Sequence, residues 1–272
     1  MGSADTDLMT EQRRAPATGS PAPVRKPGYR IGPFYFVPEF GAVSRDDPWA
    51  HRKGEPRVFA LFWSVYLMGA AMLTLFAIGS ASIPTAAQYQ IGSAAMITMI
   101  ALGSTLLWPL VRLSQATPDR PVSATLADMF VLLAPMQIVI WPLPLLTRWP
   151  LEIVASLAGL LASWTLLIGV IVARGTASPN GVSRALAMLT CVTLVATGPL
   201  LLSLLPQRGP AHEQPGPWML SPLTGIWALV ASPGGLRPRL SQVERLGVVA
   251  PALLAGVMAL GICIFGRRPP GR

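Results

Sequence analysis

Hydrophobic positions in this chain do not alternate with polar ones. They gather into six uncharged runs: Val58–Gly79, Ile91–Val111, Met129–Leu146, Ile153–Ala173, Ala185–Leu205 and Leu246–Gly266. A helix rises about 1.5 Å per residue, so about 20 apolar residues cross a hydrocarbon core about 30 Å thick. Only helices and closed barrels satisfy their backbone in lipid, and continuous runs are not the alternating pattern of barrel strands. The expected fold class is therefore all-α integral membrane, with six transmembrane helices over residues 58–268.

Two stretches break the regular pattern. The third span, read more widely as Leu126–Leu146, carries Pro135, Gln137, Pro142 and Pro144, with Asp128 near its entrance. Interior prolines remove intrahelical bonds and kink a helix; such breaks can mark transport sites, while Trp141, Trp149 and Pro150 beside them suit a kinked terminus in the interface. The loop between the fifth and sixth runs, 206–245, holds an uncharged stretch, Trp218–Val230. Ser221-Pro222 supplies an N-cap followed by Pro at the first helical position, and Ser232-Pro233-Gly234-Gly235 stops the element. A helix from Pro222 to Ala231 would span about 15 Å, half a crossing. The expectation is a short re-entrant or interfacial element within 218–232, with Met219, Leu223, Ile226, Trp227 and Val230 on lipid or on the bundle. Ser241-x-x-Glu244 then resembles a capping box opening the last helix.

Before the first run, residues 1–28 are rich in Ala, Pro, Gly, Ser and Thr and read as a disordered tail. Residues 29–57 read as an interfacial juxtamembrane segment, because Tyr29–Phe40 is dense in aromatics, which prefer the headgroup level. The same segment offers docking residues for a partner: Phe34, Tyr35, Phe36, Trp49, Arg52 and Lys53. With no early apolar stretch, the N-terminus is not expected to be a cleavable signal peptide, and the first span is expected to serve as the insertion signal.

Composition sharpens this picture. Only 12% of the 272 residues are charged and 52% are apolar, with a formal net charge of +9. Lys and Arg fall almost entirely outside the runs. Counted by alternate segments, sixteen lie on the side of both termini and five on the other. The positive-inside rule then puts both termini in the cytoplasm of a multi-pass protein of the inner membrane. Flanking basic residues of this kind explain the charge without nucleic acid as a partner. Lys26 and Lys53 are the only lysines and Asn180 the only asparagine, a bias that suggests a GC-rich bacterial gene.

Several chemistries lack their residues. His51 and His212 are the only histidines and both lie outside the runs, so paired-histidine haem ligation within the membrane is excluded. There is no H-E-x-x-H, no G-x-S-x-G and no P-loop motif. Cys191 and Cys263 sit within apolar runs and read as small buried hydrophobes. No enzyme, cofactor or metal site is expected. Ionisable groups at membrane depth are functional candidates by default. Asp128 is the strongest; Arg112 and Arg120 of the interfacial cluster, and Gln137 and Pro135 of the broken third span, are the further candidates. Glu152 is expected at the third position of the fourth helix, where a carboxylate suits the helix dipole. The one interfacial polar cluster runs from Trp108 to Gln115 with Asp119, Arg120 and Asp128, the minimum a lipid-acting enzyme would need. In the last span, Ala252 with Gly256, and Ala255, Ala259 and Cys263, keep the four-residue spacing of close helix packing.

The layout resembles the membrane subunits of ABC-2-type exporters, carried locally by Gly198-Pro199-Leu200-Leu201-Leu202 and Leu220-Ser221-Pro222-Leu223-Thr224. That resemblance implies a permease subunit, a homodimer, a separate ATPase partner and an apolar translocation path. Short loops at 112–127 and 174–184 depart from it, since such subunits offer the ATPase a cytoplasmic surface. The alternative is a non-transporting membrane scaffold, assembly factor or sensor, whose main partner is the lipid bilayer itself.

Overall fold

The computed structural model describes residues 29–31, 34–36, 56–79, 85–115, 118, 120–178, 180–204, 220–230 and 242–265. The expected tail at 1–28 and the docking residues Trp49, Arg52 and Lys53 lie outside them, as do Met219 and Ser241. The chain divides into two units, 1–43 and 44–272.

In the first unit, β1 (Tyr29–Ile31) pairs antiparallel with β2 (Phe34–Phe36), Tyr29 opposite Phe36 and Ile31 opposite Phe34. Phe34, Tyr35 and Phe36 thus belong to a strand. The sequence cue for it was Gly32-Pro33 between two short β-prone triplets.

Every regular element described in the second unit is a helix, and six helical spans are long and apolar enough to cross a membrane. These comprise α1 (Pro56–Gly79), then α2 (Ala86–Leu102) running through a π turn (Gly103–Leu107) into α3 (Trp108–Ser114). Next come α4 (Pro121–Ile140) with the short α5 (Leu143–Thr147), then α6 (Leu151–Ala177) and α7 (Gly181–Leu204). The short α8 (Pro222–Val230) precedes the final span, α9 (Gln242–Phe265). All six sequence-expected runs are here, each helix beginning two to eight residues earlier, in the polar flank before its run. The third begins at Pro121, so Asp128 stands seven residues inside α4 rather than near its entrance. An uncharged run stops at the first carboxylate, whereas a helix continues when that carboxylate is paired.

α6 is the centre. Of its most apolar stretch 67% is buried within the bundle, against 28% for α1 and 17% for α9. It packs on α4, α7, α8 and α9, with Leu157, Leu160, Leu161 and Ile168 sealed from the surface. Outward faces are apolar, with Phe62, Phe76 and Phe130 about three-quarters exposed or more, as a hydrocarbon solvent permits.

Four side-chain links fix which helix ends lie together. Gln90 Nε2 donates to Thr147 O at 3.0 Å, and Arg245 pairs with Glu152 at 2.9 Å. At the other end, Arg112 meets Asp128 and Arg184 Nη1 donates to Gln115 O at 3.0 Å. The Arg245–Glu152 contact is decisive for parity. α6 and α7 cross once each, so α9 can begin beside the start of α6 only if α8 does not cross.

Candidate functional site

The sequence-predicted candidates separate into one assembled cluster and several scattered residues. The cluster sits where the second span ends and the third begins. Arg112 Nε lies 3.0 Å from Asp128 Oδ2, and the two side chains are only 12% and 9% exposed. The Nε–H is not aligned for a hydrogen bond, so this approach is chiefly electrostatic. Trp108 Nε1 donates to the same Oδ2 at 3.5 Å, the long limit of such a bond. Arg112 Nη1 also donates to Gln115 Oε1 at 3.0 Å, and Gln115 in turn carries the link to Arg184. A buried carboxylate in a helix bundle demands such partners, because an isolated charge pays the full cost of desolvation.

α3 holds this cluster against three other helices. Trp108 and Leu113 are buried, and Leu113 packs where Gly175 of α6 leaves no side chain, 2.7 Å from the position a Cβ would take. A larger residue at 175 would displace α3.

The remaining candidates stand elsewhere. Arg120 precedes α4 with an exposed side chain, and its carbonyl accepts from the Ala124 amide at 3.0 Å. Gln137 is nine residues beyond Asp128, about 14 Å along the helix, and its Oε1 accepts from Trp141 Nε1 at 3.0 Å. Pro135 does not end α4, which continues to Ile140. Trp63 Nε1 of α1 donates to Leu132 O at 3.0 Å, close to the carbonyl that Pro135 leaves without its amide. Glu152 is the second rather than the third residue of α6, because Pro150 is the N-cap. Its carboxylate engages Arg245 as well as suiting the helix dipole.

A second polar joint was not legible in sequence. Pro199 inside α7 cannot donate to Val195 O, four residues earlier. Ser221 Oγ donates there instead, at 2.7 Å. The same hydroxyl accepts from the Leu223 amide at 3.3 Å, so the expected N-cap of α8 is present and serves two helices. Gly198 makes room, since a Cβ there would collide with Ser221 and Thr224. Val195 is nine residues before Leu204, so α8 starts about 14 Å along α7 from that end. From there α8 packs against α2, α6 and α7, with Ile226 and Leu229 fully buried and Trp227 outward.

Buried hydroxyls elsewhere are turned inward on their own helices. Thr74, Thr105, Thr125, Thr147, Ser163, Thr165 and Thr176 each donate to the carbonyl four residues back. Between them the described interior is apolar, with Trp63, Trp149 and Trp164 buried among aliphatic side chains. No known protein family, curated protein or solved structure matches this chain.

Proposed function

We propose that this multi-pass membrane protein is a non-catalytic subunit that acts through its outer faces and helix ends, binding partners within or beside the bilayer. The observation that carries this reading is the filling of the interior. Ile97, Ile100, Leu132, Met136, Leu160 and Ile168 are completely buried, and the intervening hydroxyls have their donors committed to local carbonyls. Among the described residues, a polar solute or proton relay through one copy would find no buried carboxylate or cation except Asp128, which is paired with Arg112. The scaffold, assembly-factor or sensor role follows most directly. In this reading the protein resides in the inner membrane of a bacterium, with both termini cytoplasmic.

The exporter-permease role is the second reading, favoured by one observation: a short helix sits before the last span and starts partway along α7. There α8 is a re-entrant element, the apolar path lies between two copies, and a separate ATPase supplies the energy. Purification from native membranes in mild detergent separates the two. Stoichiometric membrane-protein partners without an ATPase support the scaffold. A stoichiometric P-loop ATPase establishes the permease, and a chain that purifies without any partner refutes both.

A further inference from the structure

Three features of the second span have no part in a partner-binding surface: the π turn, Pro109 just beyond it, and the hydroxyls of Ser104 and Thr105 within it. A π turn holds one residue more than the α turn it replaces. Every residue after it therefore sits one step back from its place in an uninterrupted helix, about 100° around the axis and about 1.5 Å along it.

The turn is written into this sequence. Pro109 has no amide to give Thr105 O, and its ring crowds that carbonyl. A wider hydrogen-bonded ring, with the Trp108 amide on Gly103 O, relieves the crowding. Ser104 Oγ and Thr105 Oγ1 both donate to Ala101 O, at 3.2 and 2.6 Å, at a position fully closed to solvent. On the opposite flank, a Cβ at Gly103 would lie 2.6 Å from the Tyr66 ring and 2.7 Å from that of Trp63. Those two rings stack with centroids 5.3 Å apart, and Tyr66 Oη donates to Met99 O at 2.7 Å. Proline, hydroxyls and glycine thus agree on one place for the extra residue.

Downstream of that place lie Trp108, Arg112 and Gln115, the three residues that make the polar joint to α4 and α7. We infer that the π turn is a phase-setting insertion, whose extra residue turns α3 so that Trp108 and Arg112 face Asp128 while the Gln115 carbonyl at its end meets Arg184. Annealed to a plain α-helix of the same sequence, α3 would carry Arg112 about 100° away and the joint would open.

The test measures coupling between Arg112 and Asp128 as the non-additivity of Arg112→Gln and Asp128→Asn in the thermal midpoint. It uses three full-length chains in detergent. One has the natural sequence. The second lacks Leu107 and carries Pro109→Ala, giving an uninterrupted α-helix in the natural phase. The third has one alanine inserted after Leu107. The expected result is natural coupling in the shortened chain. In the lengthened chain coupling is lost, with a midpoint lower by roughly 5–10 °C. Coupling lost in the shortened chain, failure of that chain to fold, or coupling that survives the insertion would each overturn the inference. If the lengthened chain does not fold, the shortened one decides alone.

Discussion

The two ends of the bundle each carry an arginine–carboxylate pair, and the pairs differ in surroundings more than in chemistry. Arg112 and Asp128 are 12% and 9% exposed, while Arg245 and Glu152 are 58% and 35% exposed, at contact distances of 3.0 and 2.9 Å. The open pair is screened by water and ions and adds little. The closed pair has lost its water, so each partner depends on the other, and removing one leaves a buried charge uncompensated. Contact distance alone does not rank ion pairs; burial does.

The largest effect is expected from Asp128→Lys, which sets a second cation against Arg112 and should cost about 3–5 kcal/mol, read as thermal unfolding in detergent. A loss no greater than that of an exposed substitution would dissolve the contrast between the ends. Next comes Ser221→Ala, which strips Val195 O of its donor and α8 of its cap. It should cost about 1–3 kcal/mol in the natural chain. It should cost less in a Pro199→Ala background, where the helix amide returns to that carbonyl. Equal cost in both backgrounds would mean that Ser221 does not replace the missing amide. Glu152→Gln ranks third, at under about 1 kcal/mol and shrinking further with added salt, followed by the same unfolding assay. The smallest perturbation assigns the ends to sides of the membrane. Cysteines placed at Ala86 and Ser178, in a chain with Cys191 and Cys263 replaced by serine, should be modified by impermeant reagents from opposite faces. Modification of both from one face would break the six-crossing order.

What was legible in the sequence is what lipid physics enforces locally. An uncharged stretch of sufficient length has one low-energy outcome, so all six spans could be placed, with the start of the third, at Pro121, eight residues ahead of its run. Ser221-Pro222 likewise announced a helix start through purely local chemistry, and α8 begins at Pro222. The polar cluster of Trp108, Arg112, Gln115 and Asp128 could be suspected, because interfacial polar residues are sparse in such a chain.

Four features resisted reading, each for a physical reason. The pairing of Ser221 with Val195 joins residues 26 apart across two helices, and nothing in either helix alone requires it. The π turn rests on the coincidence of Pro109, Gly103 and two hydroxyls, each unremarked by itself. The depth of Asp128 within α4 is hidden because hydropathy counts a carboxylate as a boundary, while Arg112 and Trp108 make it tolerable inside. The pairing of β1 with β2 in the first unit is hidden because aromatic density suits a membrane interface or a docking strip as well as a strand.

Side-by-side double-mutant cycles test the account most directly: Arg112→Gln with Asp128→Asn, and Arg245→Gln with Glu152→Gln, measured on one preparation at one ionic strength. The account predicts a coupling above about 1.5 kcal/mol at the closed pair and below about 0.5 kcal/mol at the open one. Equal couplings, or the larger one at Arg245 and Glu152, would contradict it.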